Sequence, residues 1–166
     1  GFFSRELHVY LRKPRFLHQI APCLCAGSTL GDNVLMRLVL ASASPARRAT
    51  LIAAGITPIV HVSTVDEDAI LAALPGGRAF CGGTTTPADE VAALAAAKCS
   101  DVCASLSAPG KVSDLPEGEP VLVVGCDSML EIGGQMLGKP HTPDVARERI
   151  RAMRRTTATL WTGHCA

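Results

Sequence analysis

Val121-Leu122-Val123-Val124-Gly125 sets four aliphatic side chains in a row with no polar residue among them. Successive side chains of a strand point to opposite faces, so a strand with one wet face alternates apolar and polar. An unbroken apolar run needs cover on both faces, and it predicts a central strand with helices packed over it. A second run, Arg37-Leu38-Val39-Leu40-Ala41, reads as another buried strand. Helical start signals lie between and after these runs. Strands therefore alternate with helices, and the class is α/β. Aromatic residues make up only 4% of the chain, so the core is built mainly from Val, Leu, Ile and Ala.

The local signals place the remaining elements. Ser44 is an N-cap, Pro45 suits the first helical position and Gly55 the C-terminal cap. Residues 58–62 read as a second strand, and residues 75–86, rich in Gly and Thr, as a loop. Thr86-Pro87-Ala88-Asp89 has a capping-box signature, and Val91, Leu94, Ala95 and Val102 mark the buried stripe of the helix that follows. Residues 107–120 read as a loop, and residues 129–137 as a hairpin about Gly133-Gly134. Thr142-Pro143-Asp144 opens a last helix ending near Arg154-Arg155. A strand then begins over residues 157–161, with nothing after it in the 166 residues to pair with or cover it, so the sequence predicts a C-terminally incomplete domain. Met36 precedes the first strand. Residues 1–35 show no periodicity and are expected to lie outside the domain as a poorly ordered extension, leaving a domain over residues 36–166.

A formal net charge of +1 argues against a surface that coats nucleic acid. The Arg-rich stretch 147–155 also carries Glu148 and lacks interleaved aromatics. No apolar run approaches the roughly 20 residues of a membrane span. The seven cysteines are odd in number, and Cys99, Cys103 and Cys126 fall in apolar patterns, as expected of reduced thiols in a cytoplasmic protein. Cys23-Leu24-Cys25 lacks a matching pair at zinc-site spacing.

Five places offer chemistry. Ser42-Ala43-Ser44-Pro45-Ala46-Arg47-Arg48 sits where a strand meets a helix N-terminus, which is either an anion site or a capped surface helix with solvated arginines. Asp127, directly after the central apolar run, is placed to bind a divalent metal, orient a water or take its proton, or else closes the strand in an Asx turn. Lys98 lies on the buried stripe between Leu94 and Val102, so it snorkels or meets an anion. Gly133 to Lys139 imitates a Walker A loop, but Pro140 stands where a Ser or Thr is needed; Lys139 remains a point charge for phosphate. Glu67, in Val65-Asp66-Glu67-Asp68, belongs to an acidic loop that is either solvated or a second carboxylate cluster. Arg47, Lys98 and Lys139 are expected to converge on one cleft beside Asp127 and to serve a ligand rather than the core.

Taken in order, a strand into Ser-x-Ser-Pro-x-Arg, Glu67, Leu94-Ala95-x-x-Lys98, Gly125-x-Asp127-Ser128, Leu137-Gly138-Lys139-Pro140 and Thr162-Gly163 resemble the Maf family from Met36 to Ala166. The resemblance implies a mixed twisted sheet with flanking helices in the Maf/ITPase-like two-lobed architecture, usually homodimeric. It implies hydrolysis of nucleoside triphosphates to the monophosphate and pyrophosphate, with magnesium or manganese as cofactor. By that analogy Asp127 is catalytic and, with Glu67, metal-linked, while Ser42, Arg47, Lys98, Ser128 and Lys139 hold the substrate. The family usually has Arg at the position of Ala46 and often Thr at that of Ser128, so no base preference is assigned. A C-terminal segment of the family has no counterpart here. The rival reading is a catalytically impaired fragment, inactive alone, or a regulator linked to septum formation and cell division.

Overall fold

The computed structural model describes residues 36–108 and 120–166. The predicted extension 1–35, with Cys23 and Cys25, and most of the 107–120 loop lie outside the described residues. Nine elements follow one another: β1 (Arg37–Ala41), α1 (Pro45–Ala53), β2 (Ile59–Val60), α2 (Glu67–Ala72), α3 (Pro87–Leu106), β3 (Val121–Ile132), β4 (Gln135–Leu137), α4 (Pro143–Ala152) and β5 (Thr159–Cys165).

The central apolar run is the start of a much longer strand. β3 pairs in parallel with β1 over Val121–Gly125, antiparallel with β4 over Leu130–Ile132, and antiparallel with β5 over Gly125–Glu131. The sheet is therefore mixed, and β3 is its axis. Asp127 was expected just past the end of the strand. It lies within it, because the polar residues after Gly125 continue to pair with β5 through Asp127↔Gly163 and Ser128↔Thr162. The last strand, expected to lack a neighbour, has β3 along its whole length, which covers one backbone edge and removes that argument for an incomplete sheet. The predicted second strand shrinks to two residues on the outer edge of β1.

Local chemistry sets the helix ends. Ser44, Thr86 and Thr142 cap α1, α3 and α4, each followed by Pro at the first helical position. Gly55, at φ +80°, ends α1 in a Schellman motif: its N–H donates to Ile52 O and that of Ile56 to Leu51 O, both at 2.9 Å. Gly133 and Gly134, at φ +58° and +73°, make the two-residue turn between β3 and β4, where both positions need positive φ. The acidic loop expected around Glu67 is a helix. Asp66 caps α2 by accepting from Ala69 N, and Glu67 and Asp68 sit in its first turn, where carboxylates complement the helix dipole.

The core lies between α3 and one face of the sheet. Val91, Leu94, Ala95, Cys99 and Val102 are buried along α3. They pack with Val39, Ala41 and Val123 at one end and with Leu71 and Met129 at the other. Each Val, Leu or Met among them contributes about 1.5–3 kcal/mol when fully buried. Gly125 and Gly163 let the helix come this close: a Cβ on either would lie 2.2 Å from a carbonyl oxygen of α3, Ala95 O or Val91 O. Cys81, Cys99, Cys103, Cys126 and Cys165 are free thiols. No helix among the described residues is long and apolar enough to cross a membrane.

Candidate active site

The pairing of β3 leaves a gap. At Gly125 it has β1 on one side and β5 on the other; at Leu130 and Glu131 it has β4 and β5. A strand has two edges, so β1 and β4 share one of them. On that edge Cys126–Met129 have no strand partner among the described residues. Asp127 lies in the gap, at the carboxyl end of β1, where α/β sheets open to ligands.

Arg47 fills part of this gap. Its Nη1 donates to Cys126 O at 3.0 Å and to Ser42 Oγ at 2.8 Å, and its Nη2 donates to Ser128 Oγ at 2.9 Å. The guanidinium thus supplies the hydrogen bond that a strand would have given to Cys126 O. Ser128 Oγ also meets Thr162 Oγ1 across to β5 at 3.0 Å. Ser42 Oγ is a bridge, since it also accepts from Ser44 N at 3.3 Å at the start of α1. Arg47 therefore holds two strands and a helix start together. The expectation that it serves a ligand alone is corrected, because open backbone must be satisfied before any ligand arrives. Arg47→Lys keeps the charge but loses the planar fork. It is expected to lower stability by about 1–3 kcal/mol, the range for a buried acceptor left unpaired. A thermal melt of the variant checks this; an unchanged Tm would mean that the guanidinium does not tie the strands.

Side chains on β3 alternate faces, so Val123, Gly125, Asp127 and Met129 point towards α3. Lys98, one turn beyond Leu94 on the buried stripe, meets them there. Its Nζ lies 2.7 Å from Asp127 Oδ1 and 2.6 Å from Glu67 Oε1. Of the two fates open to Lys98, meeting an anion is the one realised. Burial by itself lowers the Lys98 pKa, but the hydrogen bonds to Asp127 and Glu67, with their charges, outweigh it and raise it above 10.5. Lys98 stays an ammonium at neutral pH, and the stability its charge contributes is lost only as the solution becomes strongly alkaline. Asp127 Oδ2 is buried and has no hydrogen-bond partner. On the opposite face Cys126 Sγ lies 3.3 Å from His164 Nδ1. Burial pushes this thiol up against the pull of Arg47 and Lys98, which keeps it protonated at neutral pH.

A cleft of about 830 Å³ opens over the gap, lined by Arg47, Glu67, Lys98, Asp127, Ser128 and Lys139 among others. Six sequence-predicted residues thus come together on one wall system. The seventh, Ser42, is buried and does not line the cleft, and its Oγ accepts from Arg47, which does. Lys139 follows the hairpin, and Arg149 Nη1 of α4 donates to Gly138 O beside it, pinning the segment. Arg149 and Arg78 also line the cleft, and neither was singled out in the sequence. Arg149 sits in an exposed Arg-rich helix that looks solvated, and Arg78 in a loop without periodicity. Glu90 was missed although it gives the same signal as Lys98, a charge on the stripe that Leu94 marks. The arrangement brings anion-binding cations to a buried carboxylate, which suits transfer of a phosphoryl or nucleotidyl group.

The family model described as Maf-like protein matches residues 37–166. The chain is 53% identical over 129 residues to the nucleoside triphosphate pyrophosphatase of Nocardia farcinica, covering 77% of this chain and 53% of that protein. It is 53% identical over 126 residues to that of Rhodococcus jostii, covering 76% and 52%. It is 44% identical over 130 residues to that of Mycobacterium bovis, covering 78% and 54%. The chain spans about half the length of the curated relatives it matches. With β1 to β5 all inside the matched stretch, this chain belongs to the Maf-like family.

Proposed function

We propose that this chain carries the catalytic carboxylate and the phosphate-binding cations of a nucleoside triphosphate pyrophosphatase. The observation that carries the reading is Asp127: a buried carboxylate with one oxygen on Lys98 and the other without a partner, in a cleft that also holds Arg47 and Lys139. The name shared by the relatives agrees with it. In the reaction a water oxygen bonds to the α-phosphorus, the bond from it to the α–β bridging oxygen breaks, and pyrophosphate leaves with the electron pair. Asp127 Oδ2 is the acceptor for the proton of the attacking water. Lys98, Arg47 and Lys139 neutralise the charge that grows on the leaving pyrophosphate. Ser128, held by Arg47 and Thr162, is the neutral contact beside it.

The residues also fit a divalent cation. Asp127 has a free buried oxygen, and Glu67 presents a second carboxylate across Lys98. Among the described residues no group of three His, Cys, Asp or Glu side chains gathers for a metal. Two carboxylates plus substrate phosphates and water are the usual surroundings of magnesium. Magnesium or manganese, when bound, polarises the phosphates and acidifies a water. Such an ion would take up charge of the two carboxylates that Lys98 now neutralises, and Lys98, between them, would be the cation at hand for the phosphates. The family resemblance extends the reading to a cytoplasmic homodimer.

Incubation with a panel of ordinary and modified nucleoside triphosphates, with magnesium, manganese or a chelator, tests the reading. The expected products are monophosphate and pyrophosphate in equal amounts, and none with chelator. Release of inorganic phosphate and diphosphate, or no turnover of any triphosphate, would reject it.

A further inference from the structure

Glu90 is wholly buried, with 0% exposure, which is costly for a carboxylate unless something pairs with it. Its Oε1 accepts from Ala79 N at 2.7 Å and lies 3.5 Å from Arg78 Nε; its Oε2 has no partner. The Ala79 bond alone would hold the loop, and an uncharged amide could make it. The negative charge is needed only for the cation beside it. Arg78 is not fully used by this pair. Its side chain is 31% exposed and lines the cleft with Lys98 and Asp127. Among the described residues its Nη groups donate to no protein acceptor.

The loop that carries Arg78 is built to hold it still. Gly76 and Gly77 take positive φ, and Phe80 adopts φ +60°, a conformation that costs a non-glycine residue free energy. Three hydrogen bonds close the loop, Thr84 N to Gly76 O at 2.6 Å, Thr84 Oγ1 to the same oxygen at 3.4 Å and Thr85 Oγ1 to Gly77 O. At Gly83 a Cβ would lie 2.3 Å from the Gly77 backbone, so the two passes of chain touch. A loop closed this tightly, with a buried anion orienting its arginine, is preorganised for a ligand.

Position says which part of the ligand. Glu90, Leu94 and Lys98 follow one another at four-residue spacing on α3. Glu90 and Lys98 are therefore about 12 Å apart along the helix axis. An arginine anchored at Glu90 enters the cleft from about two helical turns beyond Lys98, so its guanidinium meets a ligand at the end away from the Lys98–Asp127 pair. We infer that Arg78, positioned by Glu90, binds the terminal phosphate of the substrate and makes the cleft prefer triphosphates to diphosphates. This rests on the pyrophosphatase reading above and adds a specificity residue to it.

The test is binding of inorganic tripolyphosphate and pyrophosphate, and of a nucleoside triphosphate and its diphosphate, to the full chain with magnesium. Arg78→Ala is expected to weaken the three-phosphate ligands about tenfold or more, the loss of one charge-assisted bidentate contact. The two-phosphate ligands should change less than about twofold on the same basis. Arg78→Lys should restore part of the loss, and Glu90→Gln should erode the same tri- over diphosphate preference. Arg78→Lys keeps a cation beside the buried Glu90 and should melt close to the parent, whereas Arg78→Ala leaves that carboxylate unpaired and should melt lower. Arg78→Ala is therefore also made with Glu90→Gln, which strands no charge. Binding is read where each variant is folded, so that Arg78→Lys and the double variant still decide if a single one does not fold. Equal affinity of parent and Arg78→Ala for tripolyphosphate would overturn the assignment alone, as would a uniform loss for both ligand lengths. A parent chain that binds none of the four ligands would instead remove the phosphate-cleft reading, and this inference with it.

Discussion

Asp127→Asn is expected to cut pyrophosphate release by about 10²–10⁴-fold, the range for losing a positioned acid–base group. The amide matches the carboxylate in size, and its oxygen can still accept from Lys98 Nζ, now 2.7 Å away. It cannot take a proton from water, and it is a poor ligand for a hard divalent cation. The oxygen that has no partner in the protein is the one whose replacement by NH₂ matters most. Glu67 Oε1, 2.6 Å from Lys98 Nζ, keeps the ammonium paired, so the variant does not strand a buried charge. Stability should fall by no more than about 1.5–3 kcal/mol, the value of one hydrogen bond to a charged group. Steady-state turnover, calorimetric binding of a triphosphate and a thermal melt on the same preparation separate the two effects. Turnover within about tenfold of the parent, about 1.4 kcal/mol in the barrier, would remove Asp127 from the chemistry.

Gly125→Val is expected to abolish cooperative folding near physiological temperature. A Cβ at this position would lie 2.2 Å from Ala95 O and 2.8 Å from Cys99 N. Both obstacles are backbone of α3, which cannot rotate away as a side chain can. Overpacking of a core costs about 1–3 kcal/mol even when side chains give way, and more where backbone must move. That is a large share of the roughly 5–15 kcal/mol that holds a domain together. Gly163, facing Val91 O at 2.2 Å, repeats the constraint one strand across and one helical turn back. Together they let α3 lie directly on β3 and β5, and this closeness brings Lys98 within reach of Asp127. Gly125→Ala should already lower Tm by several degrees, at about 2–8 °C per kcal/mol for domains of this size range. If Gly125→Ala melted with the parent, the close approach would not be what seats the helix.

The residues of this chain determine a good deal by local physics. Ser44-Pro45, Thr86-Pro87 and Thr142-Pro143 start helices, because a cap acts on N–H groups two or three residues away. Gly133-Gly134 turns the hairpin, since only backbone free to take positive φ fits there. The apolar run at Val121 places the central strand, and the stripe on α3 shows that Lys98 faces inward. The misreading of residues 65–68 as a solvated loop has a local cause as well: Asp66, Glu67 and Asp68 make a helix N-terminus, but too short an apolar pattern follows to show its period.

What Lys98 meets, what Arg47 holds and what pairs with β5 are matters of tertiary structure. Arg47 and Cys126 stand 79 residues apart, Lys98 and Asp127 29 apart. No periodicity links residues across such distances. The strand after Gly125 loses its apolar character, so its continuation to Ile132 depends on β5 arriving alongside. The gap between β1 and β4 exists only because both lie on one edge of β3, and that gap makes room for Arg47 and opens the cleft above Asp127. A buried charge on a helical stripe announces in the sequence that a partner is needed; only the packing of α3 on two glycines decides that the partner is Asp127.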